Sequence, residues 1–528
     1  MSGLIQVGPS DVINLPSKAI GVIFHDRLKK WNSGKTLLTD TATGEVVNYG
    51  TFSKLSIKLA QELQNIGIKQ GDVLTIISQN HWKYLLTLIA GFYVGAKVNL
   101  LNHDYTSGEL KHIMSTCQPK VVFSTHKSLQ TLLELKNEDF FPSKIYIYDA
   151  PTSDYGVNFN NLIENANDSE NFCPVEANLD DVALILTSSG TTGFPKCVQL
   201  THANLRYTMT FMADPNLIDF NENESTIAFL PFFHIFGFGV GAGCVLLGVE
   251  FVILEKFVPD LFLKTIQDYK ITKLFGVPPV FHFLIKSPMV QDYDISSMRD
   301  VLCGASVLSK EIEEMVVKKL NVVSVRQGYG MTEASGAITL IPKNVKKYGS
   351  LGKPATGVLI KVCHTETGEV LPANSVGEIR FKSDGEMKGY LGSDEETKQA
   401  FDGEGFMKTG DLGYYDDDGF FYIVGRLKEI IKYKGFQVSP AELENILLQH
   451  PDVKDVGVVG KPDDRAGEVP VALVVKQEDK NVTEEELVQH VEKNVSVQKR
   501  LYGGVKFVEE IPKNSSGKVL RPKLKELL

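Results

Sequence analysis

Cysteine is scarce in this chain: there are six in 528 residues (Cys117, Cys173, Cys197, Cys244, Cys303 and Cys363), and no two stand at metal-ligand or redox spacing. That scatter gives no zinc or Cys-x-x-Cys signature and predicts reduced thiols in plain packing roles. Positive charge is not in excess either. Lys plus Arg total 55 against 65 Asp plus Glu, a formal net charge of -10, and no basic stripe is visible, which argues against a nucleic-acid partner. The N-terminus lacks the basic, apolar and cleavage-site succession of a signal peptide. The most apolar stretch, 235–249, is short of a membrane span, holds five glycines and is bracketed by His234 and Glu250. It reads as protein interior, so no transmembrane segment is expected. Repeats and low-complexity tracts are also missing. Gly34-Lys35-Thr36 imitates the end of a P-loop, but Lys29 stands where the leading glycine belongs, and Gly517-Lys518 fails in the same way between Pro512 and Val519. No complete Gly-x-Gly-x-x-Gly fingerprint surrounds Gly237 or Gly328.

What is present is ordinary material for a large core. Hydrophobic residues make up 43% and charged residues 23%, typical of a globular protein, and the length favours several subdomains. Up to about residue 425, short apolar runs (73–77, 182–186, 251–254) alternate with amphipathic stretches at helical spacing (52–66, 308–320). This predicts an α/β fold: a large N-terminal domain of layered, largely parallel sheets and helices over 1–425. A small α+β C-terminal domain over 426–528 follows. There Ser439, Pro440 and Glu442 read as a capping-box helix start, and Thr483 with Glu486 as a second. Strands are expected at 453–459 and 469–475.

TSSGTTGFPKCVQLTH, 187–202, follows one of the buried-looking strands. Gly190 and Gly193 let backbone approach a phosphate chain. Ser188, Ser189, Thr191 and Thr192 offer hydroxyl donors, and Lys196 a point charge. A flexible surface turn is the bland alternative, against which the coincidence of hydroxyls, glycines and lysine speaks.

The segment resembles the phosphate-binding signature of the AMP-forming adenylating superfamily, which includes acyl-CoA ligases, 4-coumarate ligases, beetle luciferases and peptide-synthetase adenylation domains. GYGMTEA (328–334), TGDLGYYDDDGFFYIVGRLKEIIKYKGFQVSPAELE (409–444) and PKNSSGKVLRP (512–522) match in the family's order, so the likeness covers nearly the whole chain. IQDYKI, RQGYGMTE and LLQHPDV are similar to beetle luciferases and insect acyl-CoA ligases in particular. The resemblance implies ATP, Mg²⁺ and CoA as cofactors and a small carboxylic acid as substrate. It gives Tyr329 an adenine-stacking role, Thr332 a phosphate contact and Glu333 the magnesium contact. Gly304, Ala305 and Gly328 join the nucleotide-binding set, and Arg426 reaches the nucleotide from the domain junction. Asp411 would accept the ribose hydroxyls, although an Asp before Leu-Gly is also a common turn former. Taken alone, His234 among aromatics is more often a core histidine; the resemblance makes it an orienting group at the acyl pocket. Lys518 is implied for adenylation, and Lys432, Lys434, Gly435 and Gln437, on another loop, for the second half-reaction. The resemblance implies that this C-terminal domain is mobile and turns about a hinge near 425–427 to exchange the two loops.

Phe236, Val240, Gly336 and Ala337 are the expected acyl-pocket residues. Where beetle luciferases carry an arginine, a threonine and a serine, this chain has Thr208, Val240 and Gly336, and Lys273 replaces a small hydroxyl residue. These differences favour an acyl-CoA ligase for fatty or aromatic acids. The alternative is a luciferase that consumes O₂. The ending Lys-Glu-Leu-Leu, not Ser-Lys-Leu, leaves a peroxisomal or cytoplasmic location as the expectation.

Overall fold

Aliphatic runs without polar alternation mark strands covered on both faces, and VLTII at Val73–Ile77 and VALILTS at Val182–Ser188 are buried nearly throughout. They belong to an eight-stranded sheet in a computed structural model that describes residues 4–6, 15–164, 172–188, 195–322, 325–478, 480–513 and 518–528. Lys97–Leu101, Val73–Ile77, Val121–Ser124 and Lys144–Ile147 run parallel beside Val182–Ser188; Lys196–Thr201 and Gly389–Tyr390 close one edge antiparallel. A nine-stranded sheet repeats the plan, with Glu250–Ile253, Ser225–Ala228, Lys273–Gly276, Asp300–Cys303 and Val325–Met331 parallel at its centre. Between these layers lies the helix Trp82–Tyr93, in which every residue except Lys83 is buried.

The stretch 235–249 forms the helix Ile235–Leu247, buried from Gly237 onward. Its glycines serve close approach: a Cβ on Gly237 would lie 2.1 Å from the Pro231 carbonyl oxygen. Among the described residues no helix is long and apolar enough to cross a membrane.

One expectation fails after Val325. The chain there does not continue as alternating strands and helices. Leu359–Cys363, Gly377–Lys382, Met407–Tyr415 and Phe421–Arg426 form an antiparallel sheet edged by Leu4–Gln6. Short connections such as 416–420 can join antiparallel neighbours but not parallel ones, which need a crossover.

The large apolar core reaches Phe421, and a separate core begins at Ile431. The latter is built on Gly467–Lys476, Val453–Asp463, the hairpin Ile431–Tyr433/Phe436–Val438 and the strand Val505–Phe507. Thr483 and Glu486 form a full capping box. At the other start only half of the device exists. Ser439 accepts from the Glu442 amide, while the Glu442 carboxylate is drawn to Lys499 at 2.8 Å.

Candidate active site

Candidate residues gather at the carboxyl ends of the parallel strands, the usual place for ligands in such sheets. Ser188 ends its strand and pairs in register with Lys196, so the quoted loop closes a β-hairpin. Ser189, Gly190, Thr191, Thr192 and Gly193 lie outside the described residues. Lys196 Nζ pairs with Glu396 at 2.8 Å and stands 4.9 Å from the Tyr390 ring centroid. Tyr390 in turn donates its hydroxyl to Glu333 Oε1 at 3.0 Å. Tyr390 and Glu396 thus tie the loop lysine to the acidic residue of GYGMTE. Neither was singled out by the motif, since both lie in a stretch without motif character, Tyr390 being 57 residues downstream of Glu333.

A second cluster forms where Val325–Met331 meets the antiparallel sheet. Tyr329 donates its hydroxyl to Asp411 Oδ2 at 2.6 Å, and Arg426 Nε meets Asp411 Oδ1 at 3.2 Å. Each carboxylate oxygen keeps a further lone pair for a ligand hydroxyl. Burial and the Asp411 charge push the Tyr329 phenol far up, so it stays a neutral donor. Burial opposes the Arg426 charge, but Asp411 and Glu429 more than compensate. Lys518, half-buried, faces this cluster. Burial and then Arg426 lower its ammonium, while Asp411, Glu333 and Glu429 work the other way.

His234 precedes the helix Ile235–Leu247, 4.7 Å from the Phe233 ring. Burial and then the Lys518 charge lower its imidazolium to about 4. At neutral pH it is an uncharged imidazole that can orient a ligand without repelling lysine. Thr332 opens the short turn Thr332–Ala334, with Glu333 buried in it. Among the described residues no cluster of three or more His, Cys, Asp or Glu could cage a metal. A lone buried carboxylate suits Mg²⁺ that takes its remaining ligands from phosphates and water.

Gly304 and Ala305 follow the strand Asp300–Cys303, and the Phe236 ring packs against Gly304. Gly328 and Tyr329 lie on Val325–Met331. Val240 is buried, Phe236, Gly336 and Ala337 are half-buried, and Gly336 and Gly239 both face the Thr208 methyl. The Thr208 hydroxyl is turned away, donating to the carbonyls of Ser335 and Asn204. Lys273 is not a pocket residue, contrary to expectation. It stands at the opposite, amino end of its strand, where its ammonium meets Asp300 at 3.2 Å and the carbonyls of Ile218 and Asp219. Arg326 completes that buried ion cluster through Asp300.

Lys432, Lys434 and Gly435 are exposed on the hairpin. Lys434 and Gly435 both take positive φ (47° and 83°), the two-residue turn that matches strand twist. Gln437 lies on Phe436–Val438, and its side chain is outside the described residues.

The "AMP-binding enzyme" family model matches residues 24–391, and "AMP-binding enzyme C-terminal domain" matches 442–518. The chain belongs to the AMP-binding enzyme family. Relatives of this AMP-binding enzyme include the luciferin 4-monooxygenase of Photuris pensylvanica, 39% identical, with 94% of this chain and 92% of the relative covered. The 4-coumarate--CoA ligase 1 of Petroselinum crispum is 41% identical, covering 93% and 91%. The ATP-bound MatB from Rhodopseudomonas palustris superposes with a TM-score of 0.87 at 26% identity, covering 96% of this chain and 98% of that one.

Proposed function

We propose that this AMP-binding enzyme joins a carboxylic acid to AMP at the expense of ATP and then transfers the acyl group to CoA. The observation that carries the reading is the cluster in which Asp411 accepts from Tyr329 at 2.6 Å and pairs with Arg426 at 3.2 Å, with Lys518 within the reach of its charges and neutral His234 within that of Lys518. A carboxylate oxygen attacks the α-phosphorus, the bond to the bridging oxygen breaks, and pyrophosphate leaves. Charge builds on phosphate oxygens during this step, and a fixed cation in a partly dry site stabilises it. Lys518 and Lys196 supply that charge; Asp411 and Tyr329 hold the nucleoside; His234 orients the carboxylate. Glu333 would hold a Mg²⁺ ion, which would supply Lewis-acid neutralisation of the phosphate charge when bound. In the second step the CoA sulfur attacks the acyl carbonyl and AMP departs. The exposed hairpin with Lys432, Lys434, Gly435 and Gln437 serves that step once the C-terminal unit has turned about 425–427.

The 39% identity to a luciferin 4-monooxygenase supports a second reading, in which O₂ meets a luciferyl adenylate. Against it stands Thr208, whose hydroxyl proton is already donated to backbone carbonyls and is not offered to a polar ring substituent. A panel of fatty and aromatic acids with ATP, with and without CoA, separates the two. Acyl-CoA detected by mass, with no photons from luciferin, supports the ligase; light without thioester overturns it.

A further inference from the structure

Cys117 and Cys197, eighty residues apart in sequence, meet sulfur to sulfur: the Cys117 thiol donates to Cys197 Sγ at 3.7 Å. Both are free and buried, as expected of packed thiols, yet the fold brings these two together. Cys117 is the last residue of the helix Ser107–Cys117, and Cys197 the second of the strand Lys196–Thr201. Their surroundings are the apolar cluster of Leu110, Ile113, Met114 and Ile185.

The placement couples the pair to the phosphate hairpin. Cys197 stands opposite Thr187 in register, and Thr187 shares a 2.8 Å hydrogen bond with Tyr105, just ahead of the same helix. Side chains alternate along a strand, so Cys197 faces the helix while its neighbour Lys196 faces the other side, toward Glu396 and Tyr390. The two thiols are chemically unequal. Donating to Cys197, and burial, push the Cys117 thiol up; accepting that bond lowers Cys197 against its burial.

The geometry points to a dithiol modification site: Cys117 and Cys197 are oxidised by a peroxide to a disulfide that displaces the start of the Lys196–Thr201 strand and lowers adenylation. The Cys197 thiolate attacks one peroxide oxygen, the O–O bond breaks, and hydroxide leaves with Cys197 as the sulfenic acid. Cys117 sulfur then attacks the Cys197 sulfur, the S–O bond breaks, and a second water forms with the Cys117 proton. In sum, two thiols and one hydrogen peroxide give one disulfide and two waters. In this proposal the sulfurs close from 3.7 Å to about 2 Å by a shift of the strand start toward the helix end. The strand cannot move without shifting the Lys196–Ser188 pair that flanks the loop.

The test treats the purified full chain with hydrogen peroxide, blocks remaining thiols by alkylation and maps peptides by mass. Acid-dependent pyrophosphate exchange is followed in parallel, and only this activity readout rests on the adenylation reading. The expected result is a Cys117–Cys197 linked peptide and a loss of exchange of about tenfold or more, since misplacements near an ångström cost rates of that size. Dithiothreitol restores both. Cys117→Ser and Cys117→Ala resist the peroxide, and phenylarsine oxide, which bridges paired thiols, inactivates the unmodified chain but neither variant. Recovery of both residues as free thiols after exposed Cys173 has been consumed overturns the proposal. So does a bridge that leaves exchange unchanged. If untreated protein exchanges pyrophosphate with no acid, the adenylation reading fails while the peptide map still decides whether the pair bridges.

Discussion

Lys518 is the side chain on which the first half-reaction turns. Lys518→Ala is expected to slow adenylate formation by about two to three orders of magnitude, the cost of losing one transition-state donor. Turnover of preformed adenylate with CoA should change little, and stopped reactions on each half measure the split. A second residue bears on stability. Glu313 is buried, and burial raises its carboxyl to about 8 against the bonds from Gly349 and Gln327. The folded chain keeps this proton up to about 8, whereas the unfolded chain releases it near the ordinary 4.5. Native protein therefore binds more protons between these values, and stability falls as pH rises through the window, each unit being worth about 1.4 kcal/mol. Glu313→Gln should flatten the decline of Tm between these pH values; an unchanged slope would sink the assignment. At this scale the motif residues were legible because each sits in a short, chemically loaded run. Lys273 was not, because strand polarity decides which end of a strand meets the pocket, and position along a run does not reveal it.

Among the elements, the helix Ile235–Leu247 depends on contact closer than any Cβ allows at Gly237. Gly237→Ala is expected to destabilise by about 1 to 3 kcal/mol through overpacking, read as a lower urea midpoint with an unchanged m-value. The neighbouring Pro231 carbonyl is backbone, so no rotamer change relieves the clash. Helices and inner strands were readable from periodicity, because burial on one or both faces writes itself into the pattern. The antiparallel sheet of 359–426 was not, since its strands show no periodicity that tells parallel from antiparallel pairing. The half-formed cap at Ser439 has a similar cause: Lys499, 57 residues away, competes for Glu442. Local signals name the candidates; distant charges choose among them.

Across the whole molecule, the C-terminal unit is seated on the larger one by Lys286. Its ammonium donates to the carbonyls of Leu448 and Val453, at 3.5 Å and 3.2 Å, at the end of the helix Pro440–Leu448. Gln449 adds a bond to Glu311 at 3.1 Å. A cation at a helix C-terminus is favourable, and bonds from a charged donor are worth about 1.5 to 3 kcal/mol. Lys286→Ala should therefore shift the balance of the two half-reactions roughly tenfold away from adenylation. Equal losses in both would contradict a docking role. Lys432→Ala, on the exposed hairpin, should spare pyrophosphate release and slow thioester formation. Motifs named both C-terminal loops, but which of them meets Asp411 and Arg426 was not legible, because both carry lysines and only packing decides. The most direct measurement of the central claim is exchange of labelled pyrophosphate into ATP, with each acid of a panel supplied in turn. The account predicts acid-dependent exchange that disappears in Lys518→Ala; folded protein showing no exchange with any acid would contradict it.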